Sequence, residues 1–513
     1  MAITLKANVR WGGVDYAPGA TIPGLTPSDE AGLVSSNRAE WVGTPSTTSN
    51  AAVPVMATTG PGGGNRIFAA GGSEIQAVGA PRNSLVKIQP TLIAQPYTWD
   101  GTQAYNTTGL ATGASVAISP DMYCPVTSAP ILKFTGGTGT GGNHTRWLNV
   151  VSMTPAPDDG WIVAVWVDRV VASVELSLTD GSSFSDPTLL RKFTWLNEHV
   201  RFGWNFLVCG HGNEDFVGAN EYGRVGNNIV GGWTEAGSVN ESTVVRSIQV
   251  TINNIAESTA YVAGVWIAPR GWCTSAIMVG ADDVPREFYD LAIPELERRG
   301  FPYTLNTTTR WTNRAESMSV PMLRECYLRG AEIFAHTQSH PDMALATEAD
   351  AGLELRRSRE FMQSNGFETG AFGMAWPFNS SNHTVEMAAR TAGFKIARGY
   401  RGRYLNSWQP GHRAFHLPSI NAEKANSWHT DAEIKRLNDY GLGGILYMHK
   451  TIAGGEGVDT YPGASQHYLA HLRRWLDQCE QYMAAGTMIA TNIRGYFRAC
   501  GIDPVTTPFI EKV

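Results

Sequence analysis

The apolar positions of this chain fall into stretches of different period. Residues 1–43 open with Ile3-Thr-Leu-Lys-Ala-Asn-Val-Arg-Trp11, which alternates like a strand. Thr26 then stands as an N-cap before Pro27-Ser28-Asp29-Glu30, predicting a short helix that ends near Asn37-Arg38. Residues 44–83 are poor in apolar side chains, as in Gly60-Pro-Gly-Gly-Gly-Asn65, and read as a flexible linker. From 84 to 269 the runs are short, alternating or wholly apolar, and bounded by Gly, Asn, Asp or Pro. Trp161-Ile-Val-Ala-Val-Trp166-Val167 and Val245-Arg-Ser-Ile-Gln-Val-Thr-Ile252 are examples. Several such strands at loop-length spacing predict an antiparallel β-sandwich, jelly-roll-like, which could bind carbohydrate.

From 270 to 513 strand-like and helix-like segments alternate. Ala276-Ile-Met-Val-Gly280 reads as a buried strand, Pro285 to Gly300 as a helix, Glu332-Ile-Phe-Ala335 as a strand, and Thr347 as the cap of a long helix. The alternation predicts a parallel (β/α) barrel of seven or eight units. Asp282, Asp283, His336, His340, Trp376, Pro377 and His449 then lie just beyond strand C-termini, which share one rim in a barrel.

That rim carries the candidate chemistry. In His336-Thr-Gln-Ser-His340 two histidines four apart are expected to share one face of a helical turn and reach one cation. A carboxylate from Ala281-Asp282-Asp283 would complete a three-ligand site, and the neighbouring carboxylate could serve as general base: the working set of a metallohydrolase. The spacing alone is weak, because the twelve histidines form three such pairs. His412/His416 read as a loop entering a strand, and His467/His471 as the wet face of an amphipathic helix. Of the tryptophans between 84 and 269, Trp161, Trp166 and Trp204 read as core, while Trp195 and Trp233 have the more polar surroundings of stacking platforms.

Composition narrows the setting. Six scattered cysteines with no Cys-x-x-Cys pair argue against a disulfide framework or a thiolate zinc site. A net charge of −6 without basic blocks speaks against nucleic acid, and no run approaches the ~18 apolar residues of a membrane span. The N-terminus has no signal-like apolar stretch, so a cytoplasmic location, or export without a signal as by cell lysis, is expected.

Residues 273 to 495 resemble the polysaccharide deacetylases of the NodB kind, carbohydrate esterase family 4. The family's Thr-Phe-Asp-Asp-Gly appears as Val279-Gly280-Ala281-Asp282-Asp283-Val284, keeping both carboxylates. His-Ser/Thr-x-x-His is intact at His336–His340; Arg-x-Pro-Tyr-Gly appears as Ala375-Trp376-Pro377-Phe378-Asn379; Leu-x-x-His is Leu446-Tyr447-Met448-His449. The fourth motif, an acidic residue and a Trp, has no recognisable counterpart. The resemblance implies a NodB-type barrel in which Asp283, His336 and His340 hold a divalent metal, most often Zn2+, though such a donor set also admits iron, cobalt or nickel. It implies Asp282 as general base, the Phe378 backbone N–H as an oxyanion donor, and His449 as the acid that protonates the leaving group. Trp311, Trp376, Pro377, Trp408, Trp428 and Tyr447 would line a glycan groove. The missing motif Arg normally steadies the base, and Arg310, Arg398 and Arg401 are the candidates to replace it.

The N-terminal module and tether resemble, more weakly, the attachment ends of tailed-phage fibre and spike proteins. That resemblance implies a virion protein acting at the host cell surface. Its partners would be a bacterial surface polysaccharide (capsule, O-antigen or exopolysaccharide) and other tail proteins, and a homotrimer is left open. The expected activity is removal of N- or O-acetyl groups from the glycan. A receptor-binding fibre without turnover, and a glycosidase or lyase using paired carboxylates, are the alternatives; only the last would shorten the glycan chain.

Overall fold

The computed structural model describes residues 84–505 with breaks in loops, the longest at 96–112 and 211–231, preceded by four short strands. Ile3–Leu5 pairs antiparallel with Ala39–Trp41, and Val9–Trp11 with Val14–Tyr16. The helix expected after Thr26 and the linker at 44–83 lie outside the described residues.

Between 84 and 269 the chain forms two antiparallel sheets. One runs in the order Gly203–Gly210, Gly160–Val167, Thr259–Ala268, Pro130–Thr135, Ser115–Tyr123, with Thr91–Ala94 also on Thr259–Ala268. The other runs Gly232–Gly237, Leu189–Leu196, Ser173–Thr179, Ser247–Asn253, Gly142–Trp147. The period of two explains why the central strands read as wholly apolar. In Gly160–Val167, Trp161, Val163, Val165 and Val167 join the core between the sheets, together with Val174, Leu176, Ile248 and Val250. Ile162 and Ala164, on the opposite face, belong to a second core that continues into the C-terminal domain. Phe206, Val208, Tyr261 and Trp266 share that second face, and Trp408 reaches back to it, 6.0 Å from Phe206 and 5.5 Å from Trp266. At the junction Gly210 passes so close to Tyr440 that a Cβ would lie 2.2 Å from its ring, so only glycine fits.

The C-terminal domain is built on parallel strands in the order Leu417–Pro418, Ile396–Tyr400, Gly373–Ala375, Glu332–Ala335, Tyr303–Thr307, Ser275–Asp282, Gly443–Met448, Ile420–Asn421. The first and last are separated in sequence by Ser419 alone, so the sheet closes almost completely, and Met488–Ala490 lies beside Ser275–Ile277. Every residue of Ser275–Asp282, Tyr303–Thr307, Glu332–Ala335 and Gly443–Met448 is buried, as expected for strands covered on both sides. The helices between them start where the pattern predicts: Thr347 caps Glu348–Ser364 and Asn382 caps His383–Ala392 through side-chain oxygens. The expected helix from Pro285 instead begins with a wider π turn, Phe288–Ala292, before Ile293–Arg299. Pro294 has no N–H to close an ordinary turn there.

Candidate active site

Asp282 ends a buried strand and Asp283 begins the loop beyond it, so the backbone turns one carboxylate inward and the other toward the cleft. Asp282 is almost wholly buried. Its Oδ1 accepts from the Asn306 side-chain amide at 2.8 Å, and its Oδ2 accepts from a guanidinium nitrogen of Arg398 at 2.6 Å. Burial alone would raise its pKa; Arg398, His336, His449 and the Asn306 amide outweigh burial and hold it at about 2. Asp283 Oδ1 accepts from Thr308 Oγ1 at 2.9 Å and lies 3.6 Å from His340 Nε2 and 4.0 Å from His336 Nε2.

The two histidines are not on a helical turn. His336 follows its strand directly, and the chain then passes through left-handed conformations at Thr337 (φ 62°) and His340 (φ 64°), which swing the second ring back beside the first. The ring centroids are 4.9 Å apart. Glu354, from helix Glu348–Ser364, holds this loop by accepting from the Gln338 and Ser339 N–H groups and the Ser339 hydroxyl. His336 Nδ1–H donates to the Ala375 carbonyl at 2.9 Å, which leaves the Nε2 lone pair toward the carboxylates. Burial lowers the His336 pKa, aided by His340 and Arg398 and opposed by the two aspartates, which favours the neutral form a ligand requires. His340 is packed between Trp311, 5.1 Å away, and Phe378, 4.6 Å away.

Among the described residues, Asp283, His336 and His340 form the single group of such donors close enough to share an ion, with ligand atoms all within 4.8 Å of one another. Zinc with bonds of ~2.0–2.1 Å in tetrahedral array separates its ligands by roughly 3.4 Å. The 3.6 Å from Asp283 to His340 is close to that spacing, and the 4.0 Å to His336 is somewhat wider. Closure of the set around an ion would take side-chain shifts of up to about an ångström. The donor set, the fixed His336 tautomer and the tethered loop all fit a divalent transition ion.

Left-handed backbone recurs where the motifs lack glycine. Val284 (φ 43°) and Asn379 (φ 54°) occupy the positions at which the resembled motifs carry Gly, and both keep the conformation glycine would adopt. Phe378 shares it at φ 56° and exposes its ring to the cleft.

Arg398 answers the question of the absent motif arginine. It arrives from Ile396–Tyr400, the strand next to the one expected to carry it, and is fully buried. One nitrogen holds Asp282, another lies 3.3 Å from Asn379 Oδ1, and the guanidinium stacks 4.4 Å from the Tyr447 ring. The Arg310 side chain is exposed, and Arg401 lies outside the described residues.

His449 lies across the cleft. Its acidic partner, unplaced by motif, is Glu423: Oε2 is 2.7 Å from His449 Nδ1, and Oε1 accepts the His449 backbone N–H at 2.5 Å. Burial pushes His449 toward neutrality, but the hydrogen bond and charge of Glu423, with Asp282 and Asp283, raise its pKa to about 9. A lone Glu after Asn421-Ala422 carries no motif; its place beyond the strand Ile420–Asn421, on the same rim, was the available signal.

These groups open onto a cleft of about 710 Å³ lined by Asp282, Asp283, His336, His340 and His449, with Trp311, Phe378, Asn379 and Tyr447 on its walls. Of the expected groove residues, Trp311 and Tyr447 are there. Trp376 and Pro377 are not: both are buried, and the Trp376 indole N–H donates to the Phe415 carbonyl, so they brace the wall from behind. Trp408 packs at the junction with the two-sheet unit, and the Trp428 side chain lies outside the described residues. Trp195 is no platform, because it is buried between the sheets with its N–H on the Val208 carbonyl; the Trp233 side chain is not described. His467 and His471, expected on a wet face, are both buried.

Residues 273–397 match the family model for Polysaccharide deacetylase. No curated protein matches the chain in sequence. Among solved structures, a Streptococcus pyogenes deacetylase in complex with acetate aligns at 21% identity and TM-score 0.26, over 28% of this chain and 62% of that one. This chain therefore spans somewhat under two thirds of that protein. The Xyl-CE4 domain of a multidomain xylanase from the hindgut metagenome of Trinervitermes trinervoides aligns at 14% identity and TM-score 0.33, over 46% and 95%. The family 4 carbohydrate esterase from Streptomyces lividans in complex with acetate aligns at 16% identity and TM-score 0.30, over 43% and 94%. The family match spans the strand ends bearing Asp282, Asp283, His336 and His340, so the segment that builds the candidate site is similar to polysaccharide deacetylases.

Proposed function

We propose that this protein is a metal-dependent deacetylase that removes N- or O-acetyl groups from a bacterial surface polysaccharide. The observation that carries the reading is one cleft with a His₂-carboxylate donor set, an ionised carboxylate beside it, and a glutamate-backed histidine opposite. Asp283, His336 and His340 would hold the cation, most often zinc for such donors, which when bound supplies Lewis acidity to the attacking water and the acyl oxygen.

The protein's own groups do the rest. Asp282, kept ionised by Arg398 and oriented by Asn306, accepts the proton of the attacking water. The Phe378 N–H, turned by its left-handed backbone at the cleft edge, donates to the oxyanion as the carbonyl carbon becomes tetrahedral. His449 has Nδ1 committed to Glu423, so Nε2 delivers the proton to the leaving amine or alcohol. It remains cationic up to about pH 9, as that step requires. Trp311, Phe378 and Tyr447 offer surfaces on which sugar rings can stack.

We further propose, from the small N-terminal module and the low-complexity tether, that the chain serves as a phage tail fibre or spike acting at the host surface. The altered motifs would suit a fibre that only binds glycan; Arg398 and Glu423 supply the partners those motifs omit, which favours turnover. Incubating the protein with a panel of acetylated bacterial glycans, with acetate, glycan length and protein-bound metal measured together, tests the reading. Acetate release at unchanged chain length is expected. Chain shortening, or bound metal without acetate on any glycan, would overturn it.

A further inference from the structure

The mechanism above leaves one histidine in the same cluster unused. His467 lies in the strand Gln466–Tyr468, which pairs in parallel with Lys450–Ile452, immediately after His449, and the register sets it opposite Thr451. Both side chains are fully buried. The imidazole is held at each nitrogen, with Nδ1 3.3 Å from Glu423 Oε1 and Nε2 3.1 Å from Thr451 Oγ1, and the Trp475 ring packs 6.1 Å away. Glu423 is thus a buried carboxylate between two imidazoles: Oε2 faces His449, while Oε1 is shared by the His449 N–H and His467.

Hydrogen bonding orients the rings. Glu423 and His449 form a buried hydrogen-bonded pair, and the remaining donors and acceptors orient the second ring. Among the described residues, the charged and titratable groups around the cluster include Asp282 and Asp283 on the His449 side, Tyr461, and His471 and Arg474 from the helix Leu469–Ala484. Arg474 is itself paired with Asp431 and Asp459. Donation from His467 Nδ1–H to Glu423 and acceptance of the Thr451 hydroxyl at Nε2 satisfy every partner.

We propose that His467 is a positioning residue, which pins Glu423 Oε1 so that Oε2 stays aligned on His449 Nδ1 and the acid keeps its aim into the cleft. The role of His449 as acid rests on the deacetylase reading; the alignment of the three side chains does not. The terminal torsion of a glutamate is soft, so without His467 the carboxylate is held at Oε1 by the His449 N–H alone and turns more easily off the His449 ring.

Three variants separate alignment from packing. His467→Phe fills the space without a donor. His467→Asn places an amide N–H near the former Nδ1, and His467→Gln places it near the former Nε2, away from Glu423. Two readouts are taken on each: kcat and KM against pH for acetate release, and the titration of His449 by NMR of histidine-labelled protein. His467→Phe should lose about 10–100-fold in kcat with KM unchanged, as when an outer partner of a catalytic group is removed. The His449 titration should move down from about 9, by about one unit. His467→Asn should recover most of both, and His467→Gln should resemble His467→Phe. If His467→Phe does not fold, the contrast between Asn and Gln decides. An unmoved His449 titration, or equal losses in Asn and Gln, overturns the proposal. Shifted titrations in a protein that releases no acetate from any glycan would uphold the positioning and sink the deacetylase reading instead.

Discussion

Arg398→Met would remove the cation on which Asp282 depends while keeping most of the side-chain volume. In the folded protein the two groups meet at 2.6 Å with both side chains almost fully buried. Deleting one partner of a buried pair strands the other, at a cost of about 3–5 kcal/mol. A second route gives a similar size: return of Asp282 from about 2 to its ordinary 3.8 is worth about 2.5 kcal/mol at ~1.36 kcal/mol per unit. The sign follows from the depressed pKa. Stabilisation by Arg398 is fully present above the unfolded value near 3.8 and fades as pH falls through about 2. Urea unfolding of the metal-free proteins is the assay. At pH 7 the variant should be less stable by about 3 kcal/mol, with the gap closing below roughly pH 4. Arg398→Lys should recover only part of the loss, because an ammonium cannot hold Asp282 and Asn379 together while lying flat on Tyr447. A difference within about 0.5 kcal/mol, the range of an ordinary surface change, would refute the argument. A full difference independent of pH would assign the effect to packing.

His336→Ala with His340→Ala should abolish the binding of about one transition metal per chain, read by elemental analysis; full metal content in the double variant would remove the site from the rim. Asp282→Asn and His449→Ala should each lower kcat by about 10²–10⁴-fold at intact metal content, and loss of metal in Asp282→Asn would mean that the two aspartates exchange roles. The alkaline limb of the pH–rate profile should fall near pH 9, where His449 loses its proton, and should vanish in His449→Ala. Away from the cleft, Glu332 is buried against the N-terminus of Ile493–Ala499, accepting from the Ile493 and Arg494 N–H groups and the Thr304 hydroxyl. Burial raises its pKa from 4.5 to about 7 against those bonds, so the stability it contributes is complete below 4.5 and lost as pH rises through 7. The decline should reach about 3 kcal/mol, and Glu332→Gln should flatten it in urea titrations between pH 4.5 and 7.

The residues legible in the sequence were those whose chemistry and position agree. Asp282, Asp283, His336, His340 and His449 each lie at or just beyond the end of an apolar strand, and parallel strands deliver such residues to one rim whatever lies between them. Arg398 and Glu423 were harder, because each is a single charged residue whose importance depends on which strand lies next to which. Nothing local in Ala397-Arg398-Gly399 says that its guanidinium crosses to Asp282, 116 residues earlier. His467 was misread for a related reason. Its spacing to His471 suits a helix face, but the helix starts only at Leu469, and a short strand pairing turns His467 inward. The tryptophans failed as groove markers because an indole is equally at home in a core, and only tertiary packing separates Trp311, on the cleft wall, from Trp376 behind it.

The strand Gly160–Val167 feeds two cores at once, one between the sheets and one shared with the barrel. A module with a polar exterior can be cut away, shuffled or swung on a hinge; this one has no exterior on that side. Separated from its partner, the barrel would present Trp408 and its apolar neighbours to water, and the two-sheet unit would present Ile162, Phe206 and Trp266. The two halves should therefore behave as one mechanical piece. They should melt in a single calorimetric transition, and any pull applied through the two-sheet unit is transmitted to the orientation of the cleft without slack.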